Sequence, residues 1–227
     1  MKKKFIPGLK MPQDLIELLS FQGRHYMRMG YQKSMDSPQN FYSGLQHLFK
    51  NQESIVAVKK DVNEEGSIPF LLVNTTVPIR EQLRIIASLL RAPRFLIAEG
   101  EVRHLWRECE REAPWYLACD IDIGKKFSDV APGIAVSKLR ESDRQGLNIF
   151  EGLILAYFLP IIKLNPRPPK LPTLLLTGSG LANDRVPYLA IKEDELVLGS
   201  TAPGRHFPGW VVPSLARRIY VPPADNQ

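Results

Sequence analysis

The chain has 227 residues, 44% of them hydrophobic and 24% charged, the balance of an ordinary globular protein with room for a sizeable core. A formal charge of +6 is moderate, so it excludes a dedicated polyanion binder but leaves nucleic acid open as a partner. Two cysteines, Cys109 and Cys119, with no Cys-x-x-Cys, exclude a disulfide framework and a zinc ribbon and lead to the expectation of a cytoplasmic protein.

The basic start MKKKFIPGLK is followed by no apolar core, so no signal peptide is expected. Residues 12–29 read as a helix with Pro12 in its first turn and Leu15, Ile16, Leu18 and Leu19 on its apolar face. Ser37-Pro38 opens a second helix, with Ser37 as N-cap, running to about Lys50. Ile55–Val58 and Phe70–Val73 are short apolar runs that suit strands, separated by the charged loop DVNEEGS. Ile79, Leu83, Ile86 and Leu90 recur at helical spacing, with Thr75 or Thr76 as cap, and Phe95–Ala98 follows as a strand. EVRHLWRECERE (101–112) reads as a short polar helix ended by Pro114. WYLACDID (115–122) alternates as a strand. A helix is expected around Ile134–Arg140, and another, apolar one opens at Asn148 with Glu151 three residues on, the pattern of a capping box. That stretch, 149–162, is too short to span a bilayer. NPRPPKLP (165–172) is a stiff connector. Strands are expected at 173–177, 186–191 and 195–199, then an irregular tail with a short helix near Ser214–Arg218. The expectation is one domain over 1–227, helical in 1–52 and mixed in 53–227. Its class is α+β (or α/β): N-terminal helices, a mixed β-sheet with packed helices, and a C-terminal β-meander.

LLLTGSGLANDRVPYLAI (174–191) runs into Thr-Gly-Ser-Gly, as phosphate-binding loops do. Gly178 and Gly180 fit a Gly-x-Gly-x-x-Gly fingerprint, but Asn183 stands at the third glycine and no Lys-Ser/Thr pair follows. The Pro-bearing strand after the loop also removes the helix N-terminus that would hold a phosphate. A hairpin is the expectation, with Ser179 no nucleophile and Arg185 left as an anion-binding candidate.

Asp120 and Asp122 end a strand two residues apart, so both carboxylates would point one way and could share Mg²⁺. Glu151, the lone charge of an apolar helix, is a candidate acid or base, with its capping role as the simpler account. The four histidines have no metal-ligand spacing. Arg80, Arg84 and Arg91 fall within about 40° on one helix side. FQGRHYMRMGYQK (21–33) interleaves aromatics with basic residues, as single-stranded nucleic-acid binders do. Glutamates among the arginines favour solvated, salt-bridged faces.

PWYLACDIDIG (114–124), LNIFEGLIL (147–155) and the Gly-Ser stretch resemble, in order and spacing, a bacterial family known only as a domain of unknown function. Asn148 replaces the threonine of that family's helix start. The resemblance implies a bacterial cytosolic protein and supplies no activity. The expected function is non-catalytic binding of a protein or small anionic ligand, with no cofactor. The alternative is a metal-assisted phosphate-handling enzyme built from Asp120, Asp122, Glu151, Gly178, Ser179, Gly180 and Arg185. Nucleic-acid binding through the arginine stripes is the third.

Overall fold

An apolar stretch with no polar face, such as 149–162, folds stably only as a helix surrounded by protein, and the architecture is arranged around it. The computed structural model describes residues 14–34, 38–50, 68–89, 92–104, 115–162, 172–193, 195–205 and 207–221, an α+β fold. In chain order its elements are α1 (Leu15–Met29), α2 (Pro38–Lys50), β1 (Ile68–Asn74), α3 (Ile79–Leu89), β2 (Ala92–Phe95), β3 (Val102–His104), β4 (Trp115–Ile121), α4 (Pro132–Glu141), β5 (Gln145–Gly146), α5 (Ile149–Ile162), β6 (Thr173–Leu175), β7 (Ser179–Leu181), β8 (Val186–Lys192), β9 (Glu195–Thr201), β10 (Trp210–Val211), β11 (Ser214–Leu215) and β12 (Arg217–Val221).

One sheet is β1-β4-β12, antiparallel throughout. A second has the order β10-β6-β8-β9-β2, with β6, β8 and β9 antiparallel and the outer strands parallel to their neighbours. Two short ladders, β5–β11 and β3–β7, join the parts. Helix α5 packs against β1 of the first sheet and β8 of the second. Every side chain described in it, from Ile149 to Leu159, is buried. Strand β4 is buried along its whole length on both faces, which suits a central strand.

Helix α1 starts at Leu15 because the Asp14 carboxylate accepts from the N–H groups of Ile16 (2.9 Å) and Glu17 (3.0 Å). It stops at Gly30, whose φ of 85° is easy only for glycine. Between those ends it closes the free edge of β1. Gln22 donates Nε2 to Phe70 O at 2.9 Å and accepts the Leu72 N–H on Oε1 at 2.6 Å. Tyr26 OH donates to Leu72 O at 2.6 Å. Gln22 thus supplies one donor and one acceptor, as a neighbouring strand would, where an open edge would invite another chain.

Several sequence expectations change. Residues 214–215 and 217–221 are strands β11 and β12, because pairing with β5 and with central β4 overrides their helix-forming composition. Residues 102–104 form β3, not the start of a polar helix, because they pair with β7. Asn74 closes the turn between β1 and α3, its Oδ1 accepting from Thr76 N (3.1 Å) and Val77 N (3.2 Å). The strand read at 95–98 lies at 92–95. Expectations for Pro12, Ser37, 55–58, 61–67, 105–112 and 165–171 fall outside the described residues. No described helix is long and apolar enough to cross a membrane.

α1 meets α5 at His25, whose Nδ1 lies 2.6 Å from Tyr157 OH, among the rings of Phe21 and Phe158. Burial first, then the charges of Arg28 and Arg24, lowers the imidazole pKa to about 4 from 6.5. Between these values the unfolded chain binds more protons than the folded one, so stability is full above pH 6.5 and falls as pH drops towards 4. Urea midpoints measured across that range should fall with pH. The slope should flatten in His25→Gln, which keeps a hydrogen-bonding group but cannot titrate.

Candidate functional site

The residues with chemical potential converge where α5 begins. Asn148 and Glu151 form the capping box that their spacing predicts. Asn148 N donates to Glu151 Oε2 at 2.7 Å, and Glu151 N donates to Asn148 Oδ1 at 3.0 Å. The carboxylate is fully buried, and Arg218 of β12 reaches it with two prongs: Nε to Oε1 at 2.6 Å and Nη2 to Oε2 at 2.9 Å. Tyr116 OH of β4 donates to Oε1 at 2.9 Å and accepts from Asn148 Nδ2 at the same distance. Arg218 also bonds Gln145 Oε1 and Gly146 O. Burial opposes its charge, yet the facing Glu151 outweighs burial and holds the guanidinium protonated. Burial, then the Glu151 charge, pushes the Tyr116 phenol well above its ordinary value. A carboxylate with both oxygens bonded in this way is poorly placed to move protons.

The Asp-x-Asp strand end does not present two free carboxylates. Asp120 has φ of 53°, which breaks the pleat alternation that would align it with Asp122. Arg144 holds it at two points, Nη1 to Oδ2 and Nη2 to the backbone oxygen, both at 2.6 Å. Arg144 Nε also donates to Ser214 Oγ at 2.9 Å. Asp122 turns back on its own chain and accepts from Gly124 N at 2.8 Å, while its backbone bridges Ser214. Gly124 is required there, because its φ is 85° and a Cβ would lie 2.1 Å from Val212 O. Among the described residues, no three His, Cys, Asp or Glu side chains gather as a metal site would need.

The Gly-Ser stretch is a close-packed joint. Gly178 N donates to Leu147 O at 2.9 Å, and a Cβ on Gly178 would lie 2.3 Å from Gly146 O. A Cβ on Gly146 would lie 1.8 Å from Thr177 Oγ1. The glycines therefore let two backbones touch. Ser179 Oγ accepts from Ile149 N at 3.2 Å, occupying a helix N–H that a phosphate would use. Gly180 sits in β7, paired with Arg103 of β3. Arg185 is turned onto β9, with Nε to Ser200 Oγ at 2.9 Å and Nη2 to Ser200 O at 2.8 Å. The structure thus brings Glu151 and Ser179 together at the start of α5. It gives Asp120, Asp122 and Arg185 separate partners.

Of the arginine stripe, Arg80 lies over the Phe95 ring at 5.3 Å and Arg84 pairs with Glu81 at 3.4 Å; Arg91 is outside the described residues. Phe21, Tyr26 and Tyr31 are in the core, so the rings of 21–33 face inward rather than towards a base. Sequence reasoning missed Tyr116, Arg144 and Arg218. Arg144 and Arg218 carry no local signal, since their partners lie 24 and 67 residues away.

The chain matches no family model, no curated protein and no solved structure in the comparisons made with them. The site is therefore read from its own geometry.

Replacing Arg218 by Met should lower unfolding free energy by about 3–5 kcal/mol, because the Glu151 charge is left buried without its partner. Glu151→Gln in that background should recover part of the loss, as a denaturant double-mutant cycle would show. Gly178→Ala, which forces a methyl into Gly146, should cost about 1–3 kcal/mol or more by the same measurement.

Proposed function

We propose that the protein acts by binding, not by catalysis, on a protein or a small anionic ligand. The observation that carries this reading is the Glu151 carboxylate. Both its oxygens are engaged by Arg218, Tyr116 and a backbone N–H, in a place with no exposure. The other groups a phosphate-handling enzyme would use are likewise committed: Asp120 to Arg144, Asp122 to Gly124, Ser179 to Ile149 and Arg185 to Ser200. An enzyme of that kind would need these groups to converge with free oxygens towards one substrate. Here each holds backbone in place, so the scaffold is built first and its surface is left for recognition.

Assay of p-nitrophenyl phosphate hydrolysis with and without Mg²⁺ tests the reading. The wild type should match the buffer and Asp122→Asn. Mg²⁺-dependent turnover that disappears in Asp122→Asn would restore the enzyme.

A further inference from the structure

Two segments not used by the interior repeat one composition: Lys125-Lys126-Phe127, and Arg205 to Trp210, which reads RHFPGW. The fold brings them side by side. Gly209 N donates to Asp129 Oδ1 at 3.1 Å, and Gly133 N to Pro203 O at 3.0 Å. That bond engages the carboxylate of the one acidic residue in 125–134 and 202–211. The other charged side chains described in these segments are cations, and Lys125 and Arg205 are exposed.

Beside them runs a row of rings on the face of the second sheet that packs against α4, with its inner member Tyr188 buried there and Phe207 and Trp210 at the rim. Phe207 and Trp210 lie 4.4 Å apart at 30°, and Trp210 and Tyr188 lie 4.9 Å apart at 52°. A cation stands at each end: the Arg205 guanidinium 5.8 Å from the Phe207 ring centre, and Lys192 Nζ 4.9 Å from that of Tyr188. Lys192 also donates to Tyr188 OH at 3.1 Å. Phe207 and Trp210 are only partly buried, and close by, on the first turn of α4, Ile134 is 56% exposed. At the Lys192 end the charge is balanced, since Glu195 stands across from Lys192 in the β8–β9 ladder and lies 3.5 Å from Arg94.

We propose that this face, made of Lys125, Arg205, Phe207 and Trp210, binds single-stranded nucleic acid. The proposal rests on the reading above that the protein binds rather than catalyses, and goes beyond it in the class of partner. A single strand carries negative phosphates beside flat apolar bases, and the face sets exposed cations beside partly exposed rings. A base stacking on Phe207 extends the row by one ring, and Arg205 turns from that ring to a phosphate. A polyanion without bases or an acidic peptide would use the cations and leave the rings idle.

Tryptophan fluorescence titration at low salt with a short oligo(dT) strand tests this, with heparin and poly-glutamate as base-free controls. Oligo(dT) should quench emission, the controls should not, and Trp210→Phe should remove the quench. Phe207→Ala should weaken binding about tenfold through the lost stacking. Lys125→Gln with Arg205→Gln, both on the surface and both checked by thermal melting, should reduce the salt slope by about 1.4, or about 0.7 for each lost phosphate contact. Three results overturn the proposal: no quench; heparin or poly-glutamate binding as well as oligo(dT) with Phe207→Ala unchanged; or a loss confined to Arg80→Gln with Arg84→Gln. None of these harms the binding reading, which falls only to metal-dependent turnover.

Discussion

The fold depends on one buried ion pair, Glu151 with Arg218. Helix α5 is apolar all round and has no polar stripe to set its rotation or its depth between the sheets. Its single charged residue does that. Glu151 sits in the first turn, where the helix dipole favours a negative charge, and it closes the capping box with Asn148. The same carboxylate takes Arg218 from β12 and Tyr116 from β4, so three elements meet on two oxygen atoms. Desolvation offsets much of the attraction in such a pair, and its net contribution to stability is small. Its effect is geometric: any shift of α5 against the first sheet strands a charge away from water.

A second polar joint lies one strand residue away and works by the same means. Arg144 precedes Gln145, the Arg218 partner, and grips both the side chain and the backbone oxygen of Asp120. Asp120 is at positive φ, a conformation that costs about 1–3 kcal/mol in a non-glycine residue, and the two arginine bonds hold it there. β4 stays in its sheet to Ile121, which pairs with Ile68, and beyond it Asp122 and Gly124 close against residues 212–214. Residues 144–151 therefore connect both sheets: Arg144 and Glu151 to the first, and Gly146, through its contact with Thr177 and Gly178, to the second. The strained aspartate and the crowded glycines look like active-site features in a bare sequence. In place they are what brings the two sheets together around one helix end.

Legibility followed the range of each interaction. The capping box spans three residues, and its Asn-x-x-Glu spacing was enough to find it. The hairpin of β6 and β8 around the Gly-Ser loop was readable because Pro187 and the β-branched residues near it act locally, whereas strand β7 within that loop, which pairs with β3, was not. Arg218 was not readable, because nothing near it marks a partner in α5. Its segment, SLARR, is made of good helix formers, and only pairing with β5 and β4 makes it extended. The glycines 178 and 180 were identified as turn residues. The role of Gly178, close approach to Gly146, depends on a contact between distant segments and left no trace in the loop itself.

How the sheets end constrains how the protein can meet a partner. Gln22 and Tyr26 of α1 occupy backbone groups along the free edge of β1. β2, an edge of the second sheet, carries Pro93, which has no N–H to offer, and the charged Arg94 beside it. β10, the other edge, is two residues long. At each of these three edges the row of free backbone groups that strand addition requires is filled, broken or too short. Recognition at these places must then run through side chains. At β10 those side chains include Trp210, the middle ring of the row from Phe207 to Tyr188. A strand that ends almost as soon as it starts leaves its backbone little to do, and its partly exposed tryptophan stands between the Phe207 ring at the surface side and the buried Tyr188 ring.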